Sequence, residues 1–304
     1  MEKVIIAVDA GGTKTKAVAI DENKKIVYEV VGGPGSPAVV GQEAIKTIFQ
    51  LVEIVNDNVK EKYKLSFVQI GLSGFGVLGS NVKIYEKELE EKVNAEVNMT
   101  SDTNLGLYSI VEDKYSEGVL VISGTGSAVA GIKDEKTMLV GGYGVLLTET
   151  GSSYAAVKML IVNTINQFED NMTYSNIGKD FLELIGGKDV NDFRRFMYTK
   201  SKAEIANYSK FISAKALDDD EIAIDILKKC GKDLALQVKK LYKNLNLSDQ
   251  TVIGFVGSFV KKAPYVKDEL MKTLKEFNIK PIEFAGEDDP VYGGYYMAKR
   301  KGKI

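Results

Sequence analysis

Short apolar runs separated by polar turns open the chain, and this pattern is typical of β-strands. The runs and the turns between them fall at residues 4–8, 9–15, 17–20, 21–25 and 26–31. We therefore predict a three-stranded β-ribbon. The segment that follows, Gly-Gly-Pro-Gly-Ser-Pro at 32–37, predicts a loop, because glycine and proline interrupt both strands and helices.

Beyond this loop, apolar residues at helical spacing alternate with further strand-like runs. The predicted elements are a helix at about 43–62, a strand at 67–72, a helix at 82–92, a strand at 96–100 and a helix at 103–111.

The opening pattern then returns. A strand at 118–122 leads into a glycine turn at 123–127 and a returning strand at 128–132, and an acidic residue follows each copy, Asp21 or Asp134. Later predicted elements are helices at 152–168, around 178–198, about 200–215 and 220–244, a strand at 251–256, a helix at 264–277, a strand at 281–284 and a helix at 291–301. The repeat indicates a duplicated domain. The alternation indicates mainly parallel sheets with helices on both faces.

We therefore expect an α/β protein with two lobes, and a length of 304 residues also favours two domains. Residues 1–116 are expected to form the N-terminal lobe, completed by a C-terminal helix at 291–304. Residues 117–290 are expected to form the C-terminal lobe.

Composition narrows the possible partners. The formal net charge is −2, so the chain lacks the excess of basic residues that would indicate binding to nucleic acid or to an anionic membrane. No apolar run reaches the length of about 18 residues that a membrane-spanning helix needs. Because the first predicted strand begins at residue 4, we expect no signal peptide. We expect a cytoplasmic protein.

Two scarce residue types exclude whole classes of chemistry. The chain has no histidine, which excludes Ser-His-Asp and Cys-His nucleophile pairs and histidine metal sites. It has one cysteine, Cys230, so one chain supplies neither a disulfide nor a zinc or iron–sulfur cage. Cys230 follows a helical apolar pattern and is expected to be buried. Proton transfer must then depend on Asp, Glu, Lys or Tyr.

The first glycine turn, Asp9-Ala10-Gly11-Gly12-Thr13-Lys14-Thr15, favours phosphate binding. Glycines let backbone N–H groups approach phosphate oxygens closely, while the threonine hydroxyls and the lysine add donors and charge. The turn joins two strands, unlike a Walker loop, and it lacks the G-x-G-x-x-G spacing of a Rossmann turn. A plain hairpin turn is the alternative. The second turn, Gly124-Thr125-Gly126-Ser127, weakens that alternative because it repeats the context.

Eight stretches in this order carry a family resemblance: AVDAGGTKTKAV (7–18), GPGSP (33–37), GLSG (71–74), SDTN (101–104), ISGTGS (122–127), GGYGVLLTETGSSY (141–154), GFVGSF (254–259) and DPVYGG (289–294). The chain resembles the N-acetylglucosamine and N-acetylmuramic acid kinase group of the BadF/BadG/BcrA/BcrD-type ATPase family, within the actin, hexokinase and heat-shock-70 superfamily. The resemblance implies the two-lobed actin-like (ribonuclease H-like) ATPase fold, with a duplicated mixed β-sheet core.

The resemblance also implies ATP and Mg²⁺ as cofactors and an amino sugar as substrate. Implied to bind ATP are Gly11, Gly12, Thr13, Lys14, Thr15, Gly124, Thr125, Gly126, Ser127, Gly257, Ser258 and Phe259. Asp9 would orient Mg²⁺, partly through water, together with Asp102, and the adenine would lie against 257–259. A turn aspartate is the alternative for Asp9, and a core position is the alternative for Phe259.

By the same resemblance, Asp102 is the general base that accepts the sugar hydroxyl proton. The spacing alone allows another role, a helix N-cap, because Asp102 stands between a strand and a helix. The implied sugar-binding residues are Ser36, Ser73, Gly74, Asp102, Thr125, Gly142 and Glu149.

The chain departs from the family pattern near this sugar site. The family often has asparagine in place of Ser36, and G-D-E-G-S where this chain has Thr148-Glu149-Thr150-Gly151-Ser152. Glu149 keeps an acceptor on a longer side chain, and Thr150 loses a charge. These changes are compatible with an anionic sugar such as N-acetylmuramic acid.

Three other functions stay open from the sequence. An activator ATPase of a dehydratase or reductase would bridge an iron–sulfur cluster with two cysteines from each subunit, and this chain has one. A sugar-sensing regulator would normally carry a DNA-binding segment before the first strand and is disfavoured by an intact Asp102. A kinase of another alcohol, such as glucose, glucosamine or pantothenate, is the third. A homodimer is expected from the relatives.

Overall fold

The computed structural model describes residues 1–286 and 289–304. Two compact units divide the chain, a first unit of Met1–Gly118 with Glu283–Ile304 and a second unit of Val119–Ile282. The C-terminal segment thus belongs to the same unit as the N-terminus.

The strands, in chain order, are β1 (Glu2–Ala10), β2 (Thr15–Asp21), β3 (Ile26–Gly32), β4 (Tyr63–Leu72), β5 (Glu96–Ser101), β6 (Glu117–Ser123), β7 (Ser127–Lys133), β8 (Lys136–Gly141), β9 (Val252–Val256) and β10 (Ile282–Glu283). The helices are α1 (Pro37–Val40), α2 (Glu43–Val59), α3 (Val82–Val93), α4 (Asp102–Val111), α5 (Ser153–Asn171), α6 (Asn176–Leu184), α7 (Asp192–Thr199), α8 (Lys202–Asn207), α9 (Ser209–Leu217), α10 (Glu221–Leu245), α11 (Ser258–Lys262), α12 (Val266–Glu276) and α13 (Pro290–Arg300). A short 3₁₀ segment covers Phe75–Asn81.

The sheet of the first unit has the order β3-β2-β1-β4-β5. β1 and β2 are antiparallel, as are β2 and β3, whereas β4 runs parallel to both β1 and β5. The sheet is therefore mixed, and the expectation of mainly parallel pairing is wrong for it. The physical reason is the opening ribbon, whose short turns can join only antiparallel neighbours.

Helices cover both faces of this sheet because side chains alternate along β1. Val4, Ile6 and Val8 pack in one core with residues of α2 and α3, while Ile5 and Ala7 pack in a second core with residues of α13. This arrangement places the carboxyl ends of β1 and β5 next to the turns that carry the candidate chemistry.

The second unit repeats the plan. Its sheet has the order β10-β9-β6-β7-β8, which is the order of the first sheet with each strand replaced by its counterpart. One large core contains Val119, Val121 and residues of α5, α10 and α12. Cys230 on α10 is fully buried in this core, as predicted. The predicted α/β fold with a duplicated mixed sheet is confirmed.

Several local predictions differ from the structure. The single helix expected around 178–198 is two helices, α6 and α7, because Gly186 adopts a left-handed φ of 68° between them. The helix expected at about 200–215 is also divided, into α8 and α9. β8 and α11 were not predicted. In the described part of the chain, no helix is long and apolar enough to cross a membrane.

Candidate functional site

The first glycine turn joins β1 to β2 and presents backbone donors. The Gly11 N–H donates to the Lys14 carbonyl oxygen at 2.9 Å, which closes the turn. The N–H groups of Gly12 and Thr13 have no partner among the described residues, and both residues are exposed. A Cβ at Gly12 would meet Val39 Cγ2 at 3.4 Å, an ordinary contact. The fold itself therefore tolerates a side chain there, so packing within the described residues does not require a glycine at this position.

Thr15, at the end of the turn, links it to the loop after β3. Its side chain is fully buried, and its hydroxyl donates to the Gly33 carbonyl oxygen at 2.8 Å. The Gly35 N–H donates to the Gly11 carbonyl oxygen at 3.0 Å. A Cβ at Gly35 would overlap Thr15 Oγ1 and lie 2.8 Å from Ala10 Cβ. The structure thus separates Thr15 from the exposed turn residues and gives its hydroxyl a partner within the fold.

Three of the predicted sugar-binding residues lie together. The Ser36 hydroxyl donates to the Ser73 carbonyl oxygen at 2.9 Å, and Ser36 is 1% exposed. Gly74 follows in a left-handed conformation with a φ of 75°, and a Cβ there would lie 3.2 Å from Ser36 Oγ. Ser36 can still accept a hydrogen bond, although its own proton is engaged.

Asp102 is the first residue of α4, and the N-cap is the preceding residue, Ser101. Ser101 Oγ accepts from the Asn104 N–H at 3.1 Å, so the N-cap role that spacing allowed for Asp102 is wrong. Asp102 Oδ1 accepts from the Thr103 N–H at 2.7 Å. The helix dipole favours a carboxylate at this position. Asp102 therefore presents a carboxylate at the end of β5, where ligands gather in open α/β sheets.

Asp9, near the end of β1, is electrostatically coupled to Asp102. Burial, together with the negative charges of Asp102 and Asp289, raises the pKa of Asp9 to about 6, against the opposing charges of Lys14 and Lys16. The charges of two other carboxylates therefore act on Asp9 at this edge of the first unit. Excess negative charge of this kind suits a divalent cation.

Asp289 was missed by the sequence analysis as a site residue. Its Oδ1 caps α13 through the Val291 N–H at 3.2 Å, and its Oδ2 accepts from Lys16 Nζ at 2.8 Å. An aspartate before a proline reads locally as a helix N-cap. No local signal reveals its proximity to Asp9, because the two residues lie at opposite ends of the chain.

Asp9 and Asp102 fit Mg²⁺ only if water and phosphate oxygens supply the remaining ligands. Within 1–286 and 289–304, no group of three or more His, Cys, Asp or Glu side chains could hold a metal ion. Mg²⁺ usually keeps several waters and binds through one or two carboxylates plus phosphate oxygens. Asp9 and Asp102 supply the number of carboxylates that such a Mg²⁺ site uses.

The second glycine turn joins β6 to β7. The Gly124 N–H donates to the Gly126 carbonyl oxygen at 2.9 Å, and the Ser153 N–H at the start of α5 donates to the Gly124 carbonyl oxygen at 2.9 Å. The N–H groups of Thr125 and Gly126 have no partner in the part of the chain that the structure describes. This turn therefore offers donors of the same kind as the first turn.

Glu149, predicted to bind sugar, has both carboxylate oxygens engaged inside the second unit. Oε1 accepts from the Ser127 N–H at 2.8 Å and from Ser127 Oγ at 3.1 Å, and Oε2 pairs with Lys202 Nζ at 3.1 Å. The Glu149 side chain is only 4% exposed. Gly142, also predicted to bind sugar, lies beside β7, because a Cβ at Gly142 would be 3.3 Å from Ala128 Cβ. Lys202 was not identified from the sequence.

A cavity of about 370 Å³ in the second unit adjoins the second turn. Its lining includes Thr125, Ser153, Ser258 and Phe259. Gly257 has a φ of 104°, and a Cβ there would overlap the Ser123 carbonyl oxygen, so the backbone itself requires glycine. Phe259 is 4% exposed and belongs to the large core, so the core position that the sequence left open for it is confirmed.

Comparisons with known proteins show a family and relatives with the same fold. The model of the BadF/BadG/BcrA/BcrD ATPase family matches residues 6–292. The chain is 24% identical over 306 residues, 98% of each chain, to an N-acetylmuramic acid/N-acetylglucosamine kinase of Clostridium acetobutylicum. It is 24% identical over 293 residues, 90% of this chain and 91% of the relative, to an N-acetyl-D-glucosamine kinase of Dictyostelium discoideum. A solved structure of a putative N-acetylglucosamine kinase from Porphyromonas gingivalis superposes with a TM-score of 0.67 at 15% identity, covering 98% of this chain and 99% of that one.

Proposed function

The chain belongs to the BadF/BadG/BcrA/BcrD ATPase family, and within it we propose an ATP-dependent sugar kinase that transfers the γ-phosphoryl group to a primary hydroxyl of an amino sugar. The substrate class is N-acetylglucosamine, N-acetylmuramic acid or both, with O6 as the acceptor. Two kinases of these sugars at 24% identity, matched over nearly their whole lengths, support the substrate class.

The observation that carries the proposal is the position of Asp102. Its carboxylate stands at the end of β5 without serving as the N-cap of α4, and it acts on Asp9. With no histidine in the chain, a carboxylate is the natural acceptor for a hydroxyl proton.

Different residues are proposed to serve different steps of phosphoryl transfer. Gly12 and Thr13 offer exposed N–H groups to phosphate oxygens, and Thr125 and Gly126 offer others. Asp102 accepts the proton of the attacking hydroxyl. Mg²⁺ near Asp9 and Asp102, partly through water, would neutralise charge on the phosphate oxygens. The cavity beside Ser258 is proposed to take the adenosine.

Two features favour an anionic sugar over a neutral one. Thr150 replaces an acid of the family pattern, and Glu149 is paired with Lys202, so neither position adds an unbalanced negative charge. The lactyl carboxylate of N-acetylmuramic acid would meet less repulsion than in a site with two free acids. Cytoplasmic location, a homodimer and a role in recycling of cell-wall sugars stay predictions.

The test is ADP release by the purified protein with Mg-ATP and N-acetylglucosamine, N-acetylmuramic acid, glucosamine, glucose or no sugar. We expect release that depends on an N-acetylated amino sugar. Asp102→Asn should abolish turnover, because the proton acceptor is lost, and largely spare ATP binding, because the two glycine turns and Asp9 are unchanged. Retention of more than about a tenth of kcat would contradict the role of Asp102 as the base, since such a base is worth about 10²–10⁴-fold. Equal hydrolysis without sugar would instead support an activator ATPase.

A further inference from the structure

The ammonium of Lys202 lies against the second glycine turn. A Cβ built on Gly126 would collide with Lys202 Nζ and would lie 3.3 Å from its Cε. The Lys202 side chain is 36% exposed, so it is adjacent to the turn without being enclosed. Gly126 therefore leaves space that the lysine uses.

Glu149 holds this ammonium in place. Its Oε2 pairs with Lys202 Nζ at 3.1 Å, and its Oε1 is fixed by the backbone and hydroxyl of Ser127, the residue that begins β7. A carboxylate that is only 4% exposed is costly without partners, so the pair is mutually dependent. The glutamate joins the lysine to the turn by one continuous set of hydrogen bonds.

The backbone at Lys202 is fixed as well. Ser201 caps α8 by accepting from the Glu204 N–H at 3.3 Å, and the Ser201 N–H donates to Glu204 Oε2 at 2.8 Å. This capping box sets the first residue of the helix, which is Lys202. The lysine stem thus starts from an ordered position.

We propose that Lys202 is a phosphate-binding residue and that Glu149 is its positioning residue. An ammonium has three N–H donors, and Glu149 takes one of them. The other two, with the N–H groups of Thr125 and Gly126 that have no partner among the described residues, are the donors that we assign to a phosphate oxygen of a nucleoside polyphosphate. This inference rests on the proposed kinase function and gives Glu149 a task other than binding the sugar.

The pairing explains why glutamate is useful at position 149. The longer side chain spans from Ser127 to Lys202 with one oxygen on each.

The experiment compares the binding of ATP, ADP and adenosine to the full chain by calorimetry, without sugar. Lys202→Met should weaken ATP and ADP binding by about tenfold or more, because a charge-assisted hydrogen bond is lost, while adenosine binding stays within about twofold. Lys202→Arg should restore much of the loss. Lys179→Met, which removes an exposed lysine of α6, is the matched control and should bind all three as the unmodified chain does.

Removing Lys202 alone leaves Glu149 without its cation, so Lys202→Met/Glu149→Gln is the second variant. It avoids a buried unpaired charge and should show the same selective loss for ATP and ADP. Unchanged ATP affinity in the double variant overturns the inference, and so does an equal loss for adenosine, which would mean a structural role. If the unmodified chain itself fails to bind ATP, the proposed kinase function fails; if it binds ATP and the variants match it, only the inference fails.

Discussion

At the scale of single residues, Asp9 should govern part of the pH dependence of stability. Its pKa in the folded chain is about 6 against a usual value of 3.8, chiefly because of burial and then because of Asp102 and Asp289. The folded chain therefore binds more protons than the unfolded chain between about pH 4 and pH 6, and stability falls as the pH rises through this window. Above it, ionised Asp9 costs at most about 3 kcal/mol.

Asp9→Asn should remove that cost. We expect its melting temperature to exceed that of the unmodified chain at pH 7.5 and to match it near pH 4, as thermal unfolding at the two pH values would measure. Asp249→Asn, at an exposed position, should change neither value. A variant that is less stable at pH 7.5 would contradict the electrostatic account.

The residue scale also marks a limit of the sequence. Asp102 could be proposed because its motif and the absence of histidine both favour it. Whether it capped α4 could not be decided, since Ser101 and Asp102 are both good N-caps and the choice depends on backbone geometry. Lys202 and Asp289 were out of reach for another reason. Lys202 is of interest because it contacts Glu149, and Asp289 because it contacts Lys16, and both contacts join segments that are distant in the sequence. In a single sequence, neither residue differs from an ordinary surface lysine or a capping aspartate.

At the scale of elements, the loop after β3 holds a glycine that the fold needs, and the first turn holds one that the proposed ligand needs. A Cβ at Gly35 would overlap Thr15 Oγ1, so Gly35→Ala should destabilise the chain by about 1–3 kcal/mol through overpacking. A Cβ at Gly12 would make only an ordinary contact with Val39, so Gly12→Ala should leave the melting temperature unchanged and weaken ATP binding several-fold. Thermal unfolding and ATP titration of both variants test the contrast. Tight ATP binding by Gly12→Ala would remove the case for phosphate at this turn.

Most strands and helices could be predicted because their apolar periodicity matches their burial. The first ribbon agrees with β1, β2 and β3 to within about two residues at each end. The failures have physical reasons. β8 carries a half-exposed pattern with no strong alternation, and the boundary between α8 and α9 has no glycine or proline to announce it.

At the scale of the whole molecule, the duplication could be predicted because two glycine hairpins recur in matching contexts. The shared strand order of the two sheets is its structural counterpart. The pairing directions were harder, because whether a strand joins its neighbour in parallel depends on the path of the connection and not on the strand's own residues. α13 was expected to complete the first lobe, and the core of that unit shows what holds it there. Val291, Tyr295 and Tyr296 complete the core that Ile5 and Ala7 begin.

The packing of α13 predicts which unit unfolds more readily when that packing is disturbed. A Cβ at Gly293 would overlap the Leu105 carbonyl oxygen, so α13 packs against the backbone of α4 with no space for a side chain. Gly293→Ala should force α13 away and destabilise the first unit, whereas the second unit keeps its own core. Hydrogen exchange should therefore quicken in β1, β4 and α4 and stay slow in β6, β9 and α10. Gly76→Ala, where a Cβ would meet nothing within 4 Å, is the matched control and should leave both sets slow. Equal acceleration in both units would mean that they unfold as one cooperative body.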